Sequence, residues 1–278
     1  MKIPTPHKVK NHQILQTIAT NFPNIAAVVP DIWDAYKRYH PCRGDPRAIA
    51  PLVVPPAHAA QFKEVMEDCY KSGRVRDGLS WLSTYRLRHG HSHCPMCGAA
   101  HPKTLEHYLP RARYPEFAVY ALNLVPSCMS CNGHRSSTAN EPDAALPMLH
   151  PFFDINHLNA EFLQACNNGS LIAPDFAPLV LHPDNQIQAR VEEHVRRSID
   201  LDLFNTWLVD LLLCARGWAT RHNTVPLMTQ EVDARLSDEL KLRGANTWDA
   251  AFLRWLRADE HRVKATLNKS TILCASAL

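Results

Sequence analysis

The sequence predicts an α+β protein, mainly α, in which a small irregular zinc module is embedded between two helical regions. Three observations lead there. Apolar residues recur at three- and four-residue intervals in the first ninety residues and again beyond residue 150. Between these stretches the periodicity fades, and Cys, His, Pro and Asn become frequent. Two Cys-x-x-Cys pairs bracket that middle segment, Cys94–Cys97 and Cys128–Cys131. The expected regions are 1–90, helical; 91–140, the zinc module; and 141–278, helical again.

Along the first region, Ile14, Leu15 and Ile18 predict one short helix, and Ile32, Trp33, Tyr36 and Tyr39 another. The proline-rich stretch from Pro41 to Pro56 reads as a loop. Phe62, Val65, Met66, Cys69 and Tyr70 predict a helix that stops at Gly73, and a further one covers Leu79 to about Arg88. In the third region Leu203, Phe204, Trp207, Leu208, Leu211 and Leu212 form an apolar stripe ending near Gly217. Thr229 is expected to cap a helix through Leu242, and Thr247 the last one, which carries Trp248, Phe252, Trp255 and Leu256.

A chain of 278 residues with 46% hydrophobic and 21% charged residues has the composition of a globular protein, which excludes a disordered or fibrous one. Apolar runs fall short of the roughly 20 residues a membrane span needs. The longest, Trp207 to Ala215, is broken by Asp210. The basic opening MKIPTPHKVK lacks the apolar stretch of a signal peptide, so a cytoplasmic protein with no membrane partner is expected. Charge is uneven. Between Arg86 and Arg135 stand six basic residues against two acids, a balance of +4 in a chain whose total is +3. That concentration points to an anionic partner for the segment.

Nine cysteines in a cytoplasmic chain are not expected to form disulfides. Two residues between cysteines let both thiolates face one ion, and two such knuckles complete the four-sulfur shell of structural zinc. Cys94, Cys97, Cys128 and Cys131 are therefore the expected Zn²⁺ ligands, with Pro95 and Gly98 suiting the first turn. A closed shell leaves no open coordination position, so this metal should hold the fold. The other five cysteines, Cys42, Cys69, Cys166, Cys214 and Cys274, are expected to be small apolar core residues.

Between the knuckles, Glu106 and His107 are adjacent and followed by Pro110; Asn123 opens Asn-Leu-Val-Pro, and Asn132 directly follows the last cysteine. This order resembles the HNH endonuclease family in its four-cysteine, zinc-bound version of the ββα-metal nuclease fold, over about forty-five residues. The residue types suit the chemistry the resemblance implies. A neutral imidazole near pH 7 can act as general base, which selects His107. Glu106 and Asn132 are hard oxygen ligands for Mg²⁺ or Mn²⁺. The resemblance implies that Asn123 braces the loop and orients His107, that DNA (or RNA) is the substrate, and that cleavage leaves 5′-phosphate and 3′-hydroxyl ends. Arg111, Arg113 and Arg135 are the expected phosphate contacts.

Neighbouring strand residues point to opposite faces, so Glu106 and His107 require a strand end or turn if both are to face one metal. His134 is an alternative to Asn132. Three further strings, Tyr-Leu-Pro at 108–110, Tyr-Pro-Glu-Phe at 114–117 and Leu-His-Pro-Phe-Phe-Asp at 149–154, are similar to larger bacterial HNH proteins found beside ATPases in anti-phage systems. That similarity implies a defence effector with a regulatory ATPase partner. Two other readings compete: a catalytically silent zinc module that binds nucleic acid or protein, and a thiol–disulfide enzyme with one metal-free knuckle.

Overall fold

The structure is a computed structural model that describes residues 8–87, 93–100, 102–134 and 145–275. They fall into two compact units, one drawn from Ile3–Met96 and His101–Ile155, the other from Cys97–Ala100 and Asn156–Leu278. The described residues are mainly α, with two small antiparallel two-stranded sheets among them, one in each unit.

The N-terminal unit opens with α1 (Asn11–Asn21), a 3₁₀ turn (Pro23–Val28) and α2 (Val29–Tyr39). Ile14, Leu15 and Ile18 of α1 and Ile32, Tyr36 and Tyr39 of α2 are buried, the faces that spacing selects. The proline-rich stretch is irregular up to α3 (Pro56–Ser72). Gly73, at φ +52°, ends α3 and returns its N–H to Cys69 O at 3.2 Å. Then come α4 (Trp81–Leu87), β1 (Thr104–His107), β2 (Leu124–Ser127) and α5 (Met129–His134). The strands pair antiparallel with Thr104 opposite Ser127 and His107 opposite Leu124. The connection between them is folded by two 3₁₀ turns, Pro115–Phe117 and Ala121–Asn123, and its aromatic rings close the core: Tyr120 stacks on Tyr36 at 4.1 Å and Phe117 meets Tyr39 at 5.0 Å.

The C-terminal unit contains α6 (Ile155–Asn159), the hairpin β3 (Leu163–Asn167) and β4 (Phe176–Val180), then α7 (Gln188–Ser198), α8 (Leu201–Ala219), α9 (Val225–Leu242), α10 (Trp248–Arg257) and α11 (Glu260–Ala275). Helix α10 lies against β3, α8, α9 and α11, and buries Trp248, Phe252, Trp255 and Leu256. Thr247 caps it, its hydroxyl accepting from Ala250 N–H at 3.1 Å. Among the described residues no helix is long and apolar enough to cross a membrane.

Several expectations are corrected. Helix α9 begins at Val225, after Thr224, so Thr229 is not its cap. Pro226 sits in the first turn, where its missing N–H costs nothing. The buried stripe of α8 is Phe204, Leu208, Leu212, Ala215 and Ala219; Leu203 is exposed. Cys214, off that stripe, is exposed, and Cys42 and Cys166 are partly so; Cys69 is a buried core residue, and the side chain of Cys274 lies outside the described residues. The β3–β4 hairpin and helices α7 and α11 carry no element predicted above.

Candidate active site

The four knuckle cysteines are buried, and their sulfur atoms all lie within 4.8 Å of one another. A tetrahedral zinc with Zn–S of about 2.3 Å would set sulfurs ~3.8 Å apart, so the set is close to closing on an ion. Backbone donors point at the sulfurs: Ala99 N–H at Cys97 Sγ (3.4 Å), Cys128 N–H at Cys94 Sγ (3.5 Å) and Cys131 N–H at Cys128 Sγ (3.2 Å). A sulfur that accepts such bonds keeps them as thiolate, and thiolate is the form a metal binds. The cluster can hold a zinc ion. Gly98, at φ +83°, is required on a second count: a Cβ there would lie 2.1 Å from Asn246 O. The knuckle segment Cys97–Ala100 is held within its unit by Trp248, whose indole N–H donates to Cys97 O at 2.7 Å.

His107 ends β1 and is buried at 6% exposure. Its Nε2 lies 2.9 Å from Ala118 O. A carbonyl can only accept, so Nε2 carries a proton. The Tyr70 ring from α3 meets the imidazole edge-on at 4.3 Å and is anchored by its hydroxyl to Leu105 O at 2.7 Å. Over Tyr70 lie two guanidinium groups, Arg86 at 4.8 Å and Arg111 at 5.2 Å from the ring centre. Arg111 also lies 3.9 Å from Glu67. Tyr70 and Arg86 belong to the expected helical region and were not among the predicted site residues; neither carries a motif, and only the folding of α3 and α4 brings them to the His107 side of β1.

Asn123 is fully buried and uses all its hydrogen-bonding capacity. Its Oδ1 accepts from Leu109 N–H (2.7 Å) and the Tyr39 hydroxyl (3.0 Å), and its Nδ2 donates to Leu109 O (3.1 Å) and Phe117 O (3.2 Å). Leu109 lies two residues past His107, and Phe117 directly precedes the Ala118 whose carbonyl holds the imidazole. The side chain thus ties the exit of β1 to the turn that orients His107.

Glu106 is only half buried and alternates with His107 across a strand that stays regular to its last residue. The strand ends at His107, and the Glu106 carboxylate folds back along it, Oε1 accepting from His107 N–H at 3.2 Å. Helix α5, which carries Asn132, packs against β1. The side chains of Asn132 and His134 lie outside the described residues, as does Arg135. Arg113 is exposed on the turn after Pro110. Nearby Glu116 is fully buried, one oxygen accepting from Leu52 N–H at 2.9 Å while Oε2 finds no donor among the described residues. Burial pushes its carboxyl up to about 7, against the lowering effect of its backbone donors and of Arg38.

No family model matches the chain, and no solved structure matches it. A stretch of 62 residues is 42% identical to Protein ea31 of Escherichia phage lambda. The match spans 22% of this chain and 21% of that protein, about a fifth of the relative's length.

Proposed function

We propose that the protein is a metal-dependent HNH endonuclease that hydrolyses phosphodiester bonds in DNA, its module stapled by a Zn²⁺ ion on Cys94, Cys97, Cys128 and Cys131. The observation that carries the reading is the setting of His107. It ends the first strand of a hairpin followed by a short helix, its proton held on Nε2 by Ala118 O and its support clamped by Asn123. On this reading Nδ1 is the nitrogen that takes a proton from the attacking water. Glu106 and Asn132 offer the oxygen donors that would hold Mg²⁺ or Mn²⁺; bound there, the ion would supply charge relief at the scissile phosphate and the leaving 3′ oxygen. Arg111, Arg113 and Arg135 contact phosphates, and Arg86 joins Arg111 on the Tyr70 edge of the imidazole. The site so arranged yields 5′-phosphate and 3′-hydroxyl ends. A regulated defence effector with an ATPase partner remains part of the proposal through the Leu149–Asp154 string.

The burial of His107 favours a second reading, a catalytically silent zinc module that binds nucleic acid. Incubating the purified protein with supercoiled plasmid separates the two. The nuclease reading expects nicking with Mg²⁺ or Mn²⁺, loss in EDTA and recovery when Mg²⁺ is added back. Plasmid bound but left intact under every metal condition would favour the silent module.

A further inference from the structure

The Leu149–Asp154 string packs into the N-terminal unit through His150, which is fully buried. Its Nε2 lies 3.2 Å from the Tyr39 hydroxyl, and that hydroxyl lies 3.0 Å from Asn123 Oδ1. The direction of each bond can be worked out. Phe152 N–H donates to His150 Nδ1 at 3.2 Å, so Nδ1 is an acceptor and the proton of the neutral ring is on Nε2. His150 Nε2–H then donates to Tyr39, and the Tyr39 O–H is left to donate to Asn123. Burial raises the Tyr39 phenol well above its ordinary value, so the hydroxyl keeps the proton it gives.

The surroundings leave the chain of donors little freedom. His150 N–H donates to Asp154 Oδ2 at 2.8 Å, Asp154 N–H returns to His150 O at 2.8 Å, and Arg43 pairs with Asp154 at 3.1 Å. The Tyr108 ring lies 4.1 Å from the imidazole. Gly44, at φ +69°, closes the remaining side: a Cβ there would stand 2.8 Å from His150 Cδ2 and 3.0 Å from the Tyr39 hydroxyl. A tyrosine hydroxyl is a rotor that can donate or accept. Here one neighbour forces it to donate toward the Asn123 carbonyl oxygen.

We propose that Tyr39 and His150 are positioning residues of the hydrolytic site, a one-way relay from His150 through Tyr39 to Asn123 that sets the ring of His107 from outside the zinc module. The proposal rests on the nuclease reading for its consequence, but not for its geometry. Asn123 gains its fourth bond only from Tyr39, and it is Asn123 that holds Phe117 beside the carbonyl that fixes His107. Loosening the relay lets that carbonyl drift and the imidazole proton redistribute between its nitrogens.

The test compares the full chain with Tyr39→Phe, which keeps the ring packing and removes one hydroxyl, and with His150→Leu in case the first variant fails to fold. Imidazole ¹⁵N shifts report the His107 tautomer whether or not the protein cuts DNA. The relay predicts Nε2–H in the parent chain, a mixture of tautomers in either variant, and plasmid-cleavage kcat lowered roughly tenfold to a hundredfold with KM unchanged. A single unchanged tautomer in a folded variant would overturn the relay. A parent chain that binds plasmid without cutting it, yet shows the tautomer shift on substitution, would overturn the nuclease reading and leave the relay standing.

Discussion

Two buried asparagines, one in each unit, do the same chemistry for different ends. Asn246 accepts from Phe162 N–H (2.9 Å) and Leu163 N–H (3.0 Å) and donates to Leu158 O (3.0 Å) and Ala160 O (2.6 Å). All four bonds go to backbone, and they fasten the end of α6 and the start of β3 to the residue before the cap of α10. Asn123 gives three bonds to backbone and the fourth to the Tyr39 side chain, which connects onward to His150. The first is a rivet that ends where it is fixed. The second belongs to a network that terminates beside an imidazole of defined tautomer. The two side chains are equally satisfied and differ in reach: one network closes on backbone, the other runs on through side chains toward a titratable group.

Breaking the rivets should give the largest effects. Asn246→Ala orphans two buried N–H and two C=O groups, and should cost at least ~3 kcal/mol in a denaturation curve. Asn123→Ala should cost a similar amount and, in addition, abolish plasmid cleavage under conditions where the variant is still folded. Activity that merely tracks the folded fraction would erase the distinction. Cys128→Ser should release the zinc, seen as less than one equivalent per chain by elemental analysis, and lower the melting temperature; zinc content unchanged at one would refute the four-sulfur site.

Smaller effects sharpen the picture. Glu116 has its carboxyl raised to about 7 by burial, so at neutral pH folding must either bury charge or take up a proton. Because the folded value lies above the unfolded one, its stabilising contribution is complete below about 4.5 and is lost as pH rises through about 7. Glu116→Gln should flatten stability across that window, measured by urea midpoints at several pH values, with the gap between the two chains widening toward pH 8. Smallest, Arg86→Glu together with Arg111→Glu should weaken DNA binding and flatten its salt dependence by a slope of about one per lost phosphate contact. An unchanged slope would remove both residues from the interface.

How much of this was readable in the sequence follows from the range of the interactions involved. The knuckles, the α1–α3 stripes, Gly73 and the Thr247 cap are local: spacing and a single residue type define them. Thr229 has the residue type of a cap, but Pro226 occupies the first turn and sets the start of α9 at Val225. The β3–β4 hairpin was missed because its strands are short and its turn is organised by Asn167 Oδ1, which accepts from Gly169 and Asp175 N–H, rather than by an Asn-Gly pair. The motif from Glu106 to Asn132 was legible as residue types in order. Its supports were not, because the bonds made by Tyr39, Tyr70, Arg86 and His150 span 16 to 111 residues and no periodicity records such meetings.

The most direct test of the account is His107→Ala in metal-dependent plasmid cleavage, with zinc content and melting temperature measured on the same preparation. The account predicts cleavage by the parent chain with Mg²⁺ or Mn²⁺, and its loss by at least a hundredfold, on the order expected for removing a general base, in a variant that keeps its zinc and still binds DNA. Cleavage at the parent rate by that folded variant would contradict it.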